Sequence, residues 1–120
     1  RVLEVSLETD KDIRDVRDAC KIFFQAYGYN VTEQSEDMLV LEGGDFLWTV
    51  LGTYRWHKML KVLVVRFHQA GSSTRIKLNY NVSQLALILS LERAALPEIQ
   101  SLCEKINAKI LEIKEVKKNK

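Results

Sequence analysis

From Leu60 to Val82 the chain alternates apolar and polar residues on either side of the break Gln69-Ala70-Gly71-Ser72-Ser73, and this period of two constrains the fold most. In Thr74–Val82, Ile76, Leu78, Tyr80 and Val82 alternate with Arg75, Lys77, Asn79 and Asn81. Successive side chains of a strand point to opposite faces, so the pattern predicts a hairpin with one buried face and one wet, basic face. Val2–Glu8 alternates in the same way, and Tyr29–Gln34 with Met38–Glu42 reads as a second hairpin around Ser35-Glu36-Asp37. Phe46–Leu51 is expected as a further strand, followed by a loop over Gly52–Met59.

Two segments switch to the helical period. Thr9 followed by Asp12 resembles a helix start, after which Ile13, Val16, Cys20, Phe23 and Tyr27 form one apolar stripe that Gly28 ends. Near the C-terminus Ser90 is a suitable cap, and Ile99, Leu102, Cys103, Ile106, Ala108, Ile110 and Ile113 recur at helical spacing. Pro97 opens or kinks this helix. The expected class is α+β: a two-layer, curved antiparallel sheet of five to six strands with two helices on one face, in the order strand-helix-strands-helix. Residues 1–113 form one domain and 114–120 a basic tail. A chain of 120 residues buries roughly two-thirds of its unfolded surface around one core. With 47% hydrophobic and 28% charged residues, it is neither disordered nor a coiled-coil rod. It has no signal-peptide layout, begins at Arg1 and reads as a domain excised from a longer chain.

The net charge of +2 hides a strong asymmetry. Residues 1–45 carry eleven acids and five bases, whereas residues 46–91 carry no acid and six bases: Arg55, Lys58, Lys61, Arg66, Arg75 and Lys77. Both histidines, His57 and His68, lie in the acid-free part. Such asymmetry suits an anionic partner, and it equally suits a solvated sheet face.

Catalytic chemistry is hard to find. Neither histidine has a neighbour that would orient it. Cys20 and Cys103 lie on apolar stripes as a reduced pair, and without a CxxC or a histidine at ligand spacing no zinc site is expected. Gly43-Gly44 lacks the framing of a phosphate loop and reads as a bend or bulge. No cofactor is expected. The sequons at Asn30 and Asn81 are read as chance matches.

The most unusual segment is Phe46–Lys61, where Phe46, Trp48, Tyr54 and Trp56 interleave with Arg55, His57, Lys58 and Lys61. Aromatic rings beside bases suit an anionic membrane interface, and large rings in a small domain also suit a core. The apolar run Leu85–Leu91 is read as a buried crossover, far short of the ~20 residues that span a bilayer. Gly43-Gly44, the apolar-aromatic stretch, Arg55-Trp56-His57-Lys58 and the hairpin closing on Asn79-Tyr80-Asn81-Val82 resemble a class of uncharacterised prokaryotic proteins. Glu92 fits that pattern too. The resemblance implies a small soluble α+β domain associated with membrane segments, and no known activity. The element order also resembles TATA-binding-protein-like and helix-grip folds.

The resulting expectation is a non-enzymatic accessory or interaction domain. It would dock an anionic membrane surface or a protein partner through Trp48, Tyr54, Arg55, Trp56, His57, Lys58 and Lys61, and lie in the cytoplasm or at the membrane's cytoplasmic face. Two alternatives stand beside it. One is a small-molecule cavity lined by Leu63, Val65, Phe67, Ile76, Leu78 and Tyr80. The other, a weaker case, is nucleic acid on the basic sheet face of Arg66, His68, Arg75 and Lys77, which offers no stacking ring. Self-association stays open.

Overall fold

A computed structural model describes residues 1–53, 55–84, 88 and 90–116. The chain runs β1 (Val2–Thr9), α1 (Ile13–Ala26), β2 (Asn30–Gln34), β3 (Met38–Gly43), α2 (Phe46–Val50), a 3-10 turn (Trp56–Lys58), β4 (Lys61–Ala70), β5 (Ser73–Val82), α3 (Leu91–Ile106) and β6 (Ala108–Val116). The six strands among the described residues pair antiparallel in the order β2-β3-β4-β5-β1-β6.

The period-two pattern does what it implies. Leu3, Val5 and Leu7 of β1, Leu63, Val65 and Phe67 of β4, and Ile76, Leu78 and Tyr80 of β5 are buried in one cluster. Val16, Cys20, Phe23 and Phe24 of α1, with Leu91, Ala95, Ile99, Leu102 and Ile106 of α3, complete it. Leu63, Val65, Phe67, Ile76, Leu78 and Tyr80, expected as a possible cavity lining, are buried in this core cluster. Cys20 and Cys103 are free thiols; burial, with Cys103 nearby, pushes Cys20 up to about 12.

The expected fold class is corrected in several respects. The sheet is open, with β2 and β6 as free edges, and is not strongly curled. Among the described residues three α-helices replace two. Phe46–Val50 is helix α2 rather than a strand, because Asp45 caps it: its Oδ1 accepts the N–H groups of Leu47 at 2.8 Å and Trp48 at 3.4 Å. The first helix is capped at Asp12, not Thr9, whose hydroxyl instead donates to the Ile106 carbonyl at 2.7 Å.

The last helix is also shorter than its apolar spacing implies. Ser90 caps it as expected, its Oγ accepting the Arg93 N–H at 3.2 Å. Asn107 then takes up a left-handed conformation with φ 52° and stops it, and residues 108–116 turn back as β6 against β1. Pro97 lies within α3 and starts nothing. Because β6 follows α3, the expected strand-helix-strands-helix order is corrected by a further strand, and with it the likeness to helix-grip order. The apolar run at 85–91 lies mostly outside the described residues, as do residues 117–120 of the expected basic tail.

The boundary at Asn107 is testable. Asn107→Val places a β-branched residue at positive φ and is expected to cost about 1–2 kcal/mol, whereas Asn107→Gly should be neutral within a few tenths. Urea midpoints with unchanged slopes would measure both; an equal cost would contradict the turn.

Candidate functional site

The segment singled out in the sequence folds into a corner between β3 and β4. Gly44 has φ 89°, and a Cβ there would lie 1.9 Å from the Met59 carbonyl oxygen, so the two stretches of backbone meet where no side chain fits. The Asp45 N–H donates to the Lys58 carbonyl at 3.0 Å. Thr49 is the buried residue of α2: its hydroxyl lies 2.8 Å from the Asp45 carbonyl oxygen and accepts the Leu60 N–H at 2.8 Å. These bonds clamp α2 onto the 3-10 turn.

The clamp inverts the usual polarity of a surface helix. Phe46, Leu47, Trp48, Val50 and Leu51 are between 47% and 68% exposed, while the threonine faces inward. The Lys58 ammonium stands 4.9 Å from the centre of the Trp48 ring, and Arg55 and His57 are exposed close by in sequence. Tyr54 lies outside the described residues.

Trp56 and Lys61 turn the other way. Lys61 is 2% exposed, and its Nζ donates to the carbonyls of Trp56 at 2.6 Å and Met59 at 3.1 Å. The ammonium is 4.6 Å from the Trp56 ring centre and 5.3 Å from that of Tyr29. Behind it lies Glu98 of α3, 5% exposed, accepting hydroxyls from Tyr80 at 2.7 Å and Tyr29 at 3.0 Å. The Trp56 indole N–H is buried without an acceptor in hydrogen-bond geometry. Its dipole nevertheless favours the charged form of Glu98.

Burial dominates the electrostatics of this cluster. It raises Glu98 above the usual carboxylate range, against the Tyr80 hydroxyl, the Lys61 charge, the Tyr29 hydroxyl and the Trp56 N–H. It pushes Lys61 down to about 8, with Glu98 pulling the other way. Tyr29 and Tyr80 are both raised by burial and by the Glu98 charge.

The second basic group occupies the open face of the sheet. Arg66 is opposite Lys77 and His68 opposite Arg75, around a hollow of about 470 Å³ that also includes Asp37. Arg75 pairs with Glu8 at 3.3 Å, and Glu8 also meets Lys109 at 3.6 Å. Charges of both signs therefore share this face. Of the seven sequence-selected corner residues, the structure thus sets Trp48, Arg55, His57 and Lys58 apart from half-buried Trp56 and buried Lys61, Tyr54 lying outside the described residues. Glu98, Tyr29 and Tyr80 were missed as a unit. The available signal was an acid at a core position of the α3 stripe, three residues after Ala95 and four before Leu102. Among the described residues no group of three potential metal ligands converges.

No family model and no curated protein matches the chain. Among solved structures, the crystal structure of TTHA0849 from Thermus thermophilus is similar at 9% identity, with a TM-score of 0.42 and coverage of 89% of each chain. A likeness of that depth speaks to neither activity nor ligand. The resemblance to a prokaryotic family with membrane segments is corrected by these comparisons. Among the described residues, no helix is long and apolar enough to cross a membrane. The membrane-associated reading drawn from that resemblance is therefore dropped.

Two outcomes follow from this geometry. Gly44→Ala should cost at least about 3 kcal/mol, since strain at positive φ adds to a backbone clash, whereas Gly71→Ala, at φ 65° in open space, should cost only about 1–2 kcal/mol; thermal and urea unfolding would compare them. For Lys61 the folded value lies below the unfolded one. Its contribution to stability is therefore present above the unfolded value and is lost as pH falls through about 8. Between about pH 7.5 and about pH 9.5 the parent protein should gain stability relative to Lys61→Met, as measured by urea unfolding at each pH. A flat difference would contradict the assigned burial.

Proposed function

We propose that this domain is a non-enzymatic interaction module that docks a protein partner through the apolar face of α2 and its basic surround. The observation that carries the reading is the inverted helix: its four large apolar side chains, with Leu51 at its C-cap, point to solvent while the threonine points inward. An exposed apolar group of this kind marks an interaction surface, and since these side chains are already partly covered, burying each adds about half of the roughly 1.5–3 kcal/mol of a full burial.

Charge selects the occupant. Lys58 covers Trp48, Arg55 and His57 follow in the same segment, and residues 46–91 contain no acid. The complementary ligand is an amphipathic protein segment with apolar anchors and flanking Asp or Glu. Trp48 is suited to be the dominant contact, since tryptophans are enriched among residues that carry binding energy. A reducing compartment such as the cytoplasm suits the two free thiols.

Selection of displayed random peptides on the immobilised domain provides the test. Selected peptides should combine Leu, Phe or Trp with acids, and the synthesised peptide should bind Trp48→Ala and Lys58→Glu at least about tenfold more weakly. Peptides without acids, or binding indifferent to both substitutions, would overturn the reading. A concentration-dependent dimer abolished by Trp48→Ala would instead assign the patch to a second copy of the chain.

A further inference from the structure

A cleft of about 260 Å³ opens beside the corner, between the end of α1 at Tyr27–Gly28, the Gly43–Asp45 bend and the turn residues His57 and Lys58. Tyr29 and Lys61 also line it, so the buried polar cluster reaches this cleft. Its volume is slightly below the roughly 300 Å³ at which pockets for drug-sized molecules begin, which suits a small ligand.

Three of the lining side chains, Lys61, Lys58 and His57, are basic, and one, Asp45, is acidic. The Asp45 carboxylate is engaged in capping α2. Lys61 is incompletely satisfied. An ammonium has three donors, and two of them reach the carbonyls of Trp56 and Met59. Glu98 takes hydroxyls from Tyr29 and Tyr80 and forms no ion pair with Lys61. Among the described residues, then, a buried cation borders an open cleft without a carboxylate in contact. Burying an ammonium is costly unless an opposite charge and hydrogen bonds compensate it. Glycine at 43 keeps the wall thin, since a Cβ there would lie 2.8 Å from the Tyr29 ring.

We infer that this cleft binds a small oxyanion, the carboxylate or phosphate group of a small molecule, with Lys61 at its base and Lys58 and His57 at its rim. The third Lys61 N–H donates to the anion, which adds an opposite charge in direct contact beside the more distant one of Glu98. The Tyr29 ring forms the wall against which the remainder of the molecule packs. This site shares Lys58 and His57 with the α2 surface but not its apolar residues, since neither Trp48 nor Leu51 lines it, so Lys61→Met separates the two readings.

Titration of the whole domain with sodium phosphate and, separately, sodium acetate provides the test, with sodium chloride at equal ionic strength as the reference. The readouts are backbone amide shifts and tryptophan fluorescence, since Trp56 stacks on Lys61. A saturable response should centre on Tyr29, Gly43–Asp45 and His57–Lys61, and the two arms show which oxyanion is preferred. Lys61→Met should weaken binding at least about tenfold, as expected on losing a charge-assisted hydrogen bond. Lys58→Gln, a rim change that leaves the core intact, should weaken it several-fold, whereas Lys105→Gln on α3 should leave it unchanged. The inference is overturned if neither anion exceeds the chloride response. It is equally overturned if the shifts centre on Arg66 and Lys77, or if Lys61→Met, or Lys58→Gln where Lys61→Met does not fold, binds as the parent protein does.

Discussion

The carboxylate of Glu98 joins parts of the chain that are far apart in sequence. It accepts the hydroxyl of Tyr29, at the entry to β2, and that of Tyr80 in β5, while belonging to α3 itself. The Lys61 charge beside it holds the carbonyls of the 3-10 turn. An apolar core alone would tolerate small shifts of α3 over the sheet, because hydrophobic contact has no direction. Hydrogen bonds to a buried carboxylate do have direction, and leaving one of them unmade costs about 1–3 kcal/mol. This polar cluster therefore fixes where the helix layer lies and where the corner between β3 and β4 is anchored.

The exposed face of α2 follows from the same anchoring. Gly44 lets the backbone approach Met59, Asp45 caps the helix, and Thr49 bonds to both sides of the clamp. Once these polar groups have taken the inward positions, the apolar residues of the helix have only solvent to face. Exposure of Phe46, Leu47, Trp48, Val50 and Leu51 is thus a consequence of satisfying backbone groups at the corner. The cleft on the other side of the bend arises in the same way, with Tyr29 beneath Gly43 and Lys61 beneath the turn.

Where a segment was long and strongly periodic, its fate was readable in advance. The β4–β5 hairpin, the α1 stripe and the Ser90 cap all follow from spacing that only one element type satisfies. Two segments were not readable in this way. Phe46–Val50 places apolar residues at nearly every position, so a strand and a single helical turn fit it equally. Ile106, Ile110 and Ile113 match a helical stripe, yet Ile110 and Ile113 are also the residues that β6 aligns with Leu7 and Val5 across a bulge. The left-handed turn at Asn107 decided between them.

The periods of two and 3.6, the acid-free middle and the placement of both tryptophans in one segment are properties of residue order, and they set an antiparallel sheet layered with helices. Which of those tryptophans is exposed, and that Lys61 is buried in the field of Glu98 while Lys58 meets Trp48, depends on contacts between residues up to 69 positions apart, such as Tyr29 and Glu98. Local pattern reports how often side chains face one way, and it is silent about which distant group they will find there. Desolvation makes that second question decisive, because a buried lysine or glutamate is tolerated only when its partners arrive from elsewhere in the fold.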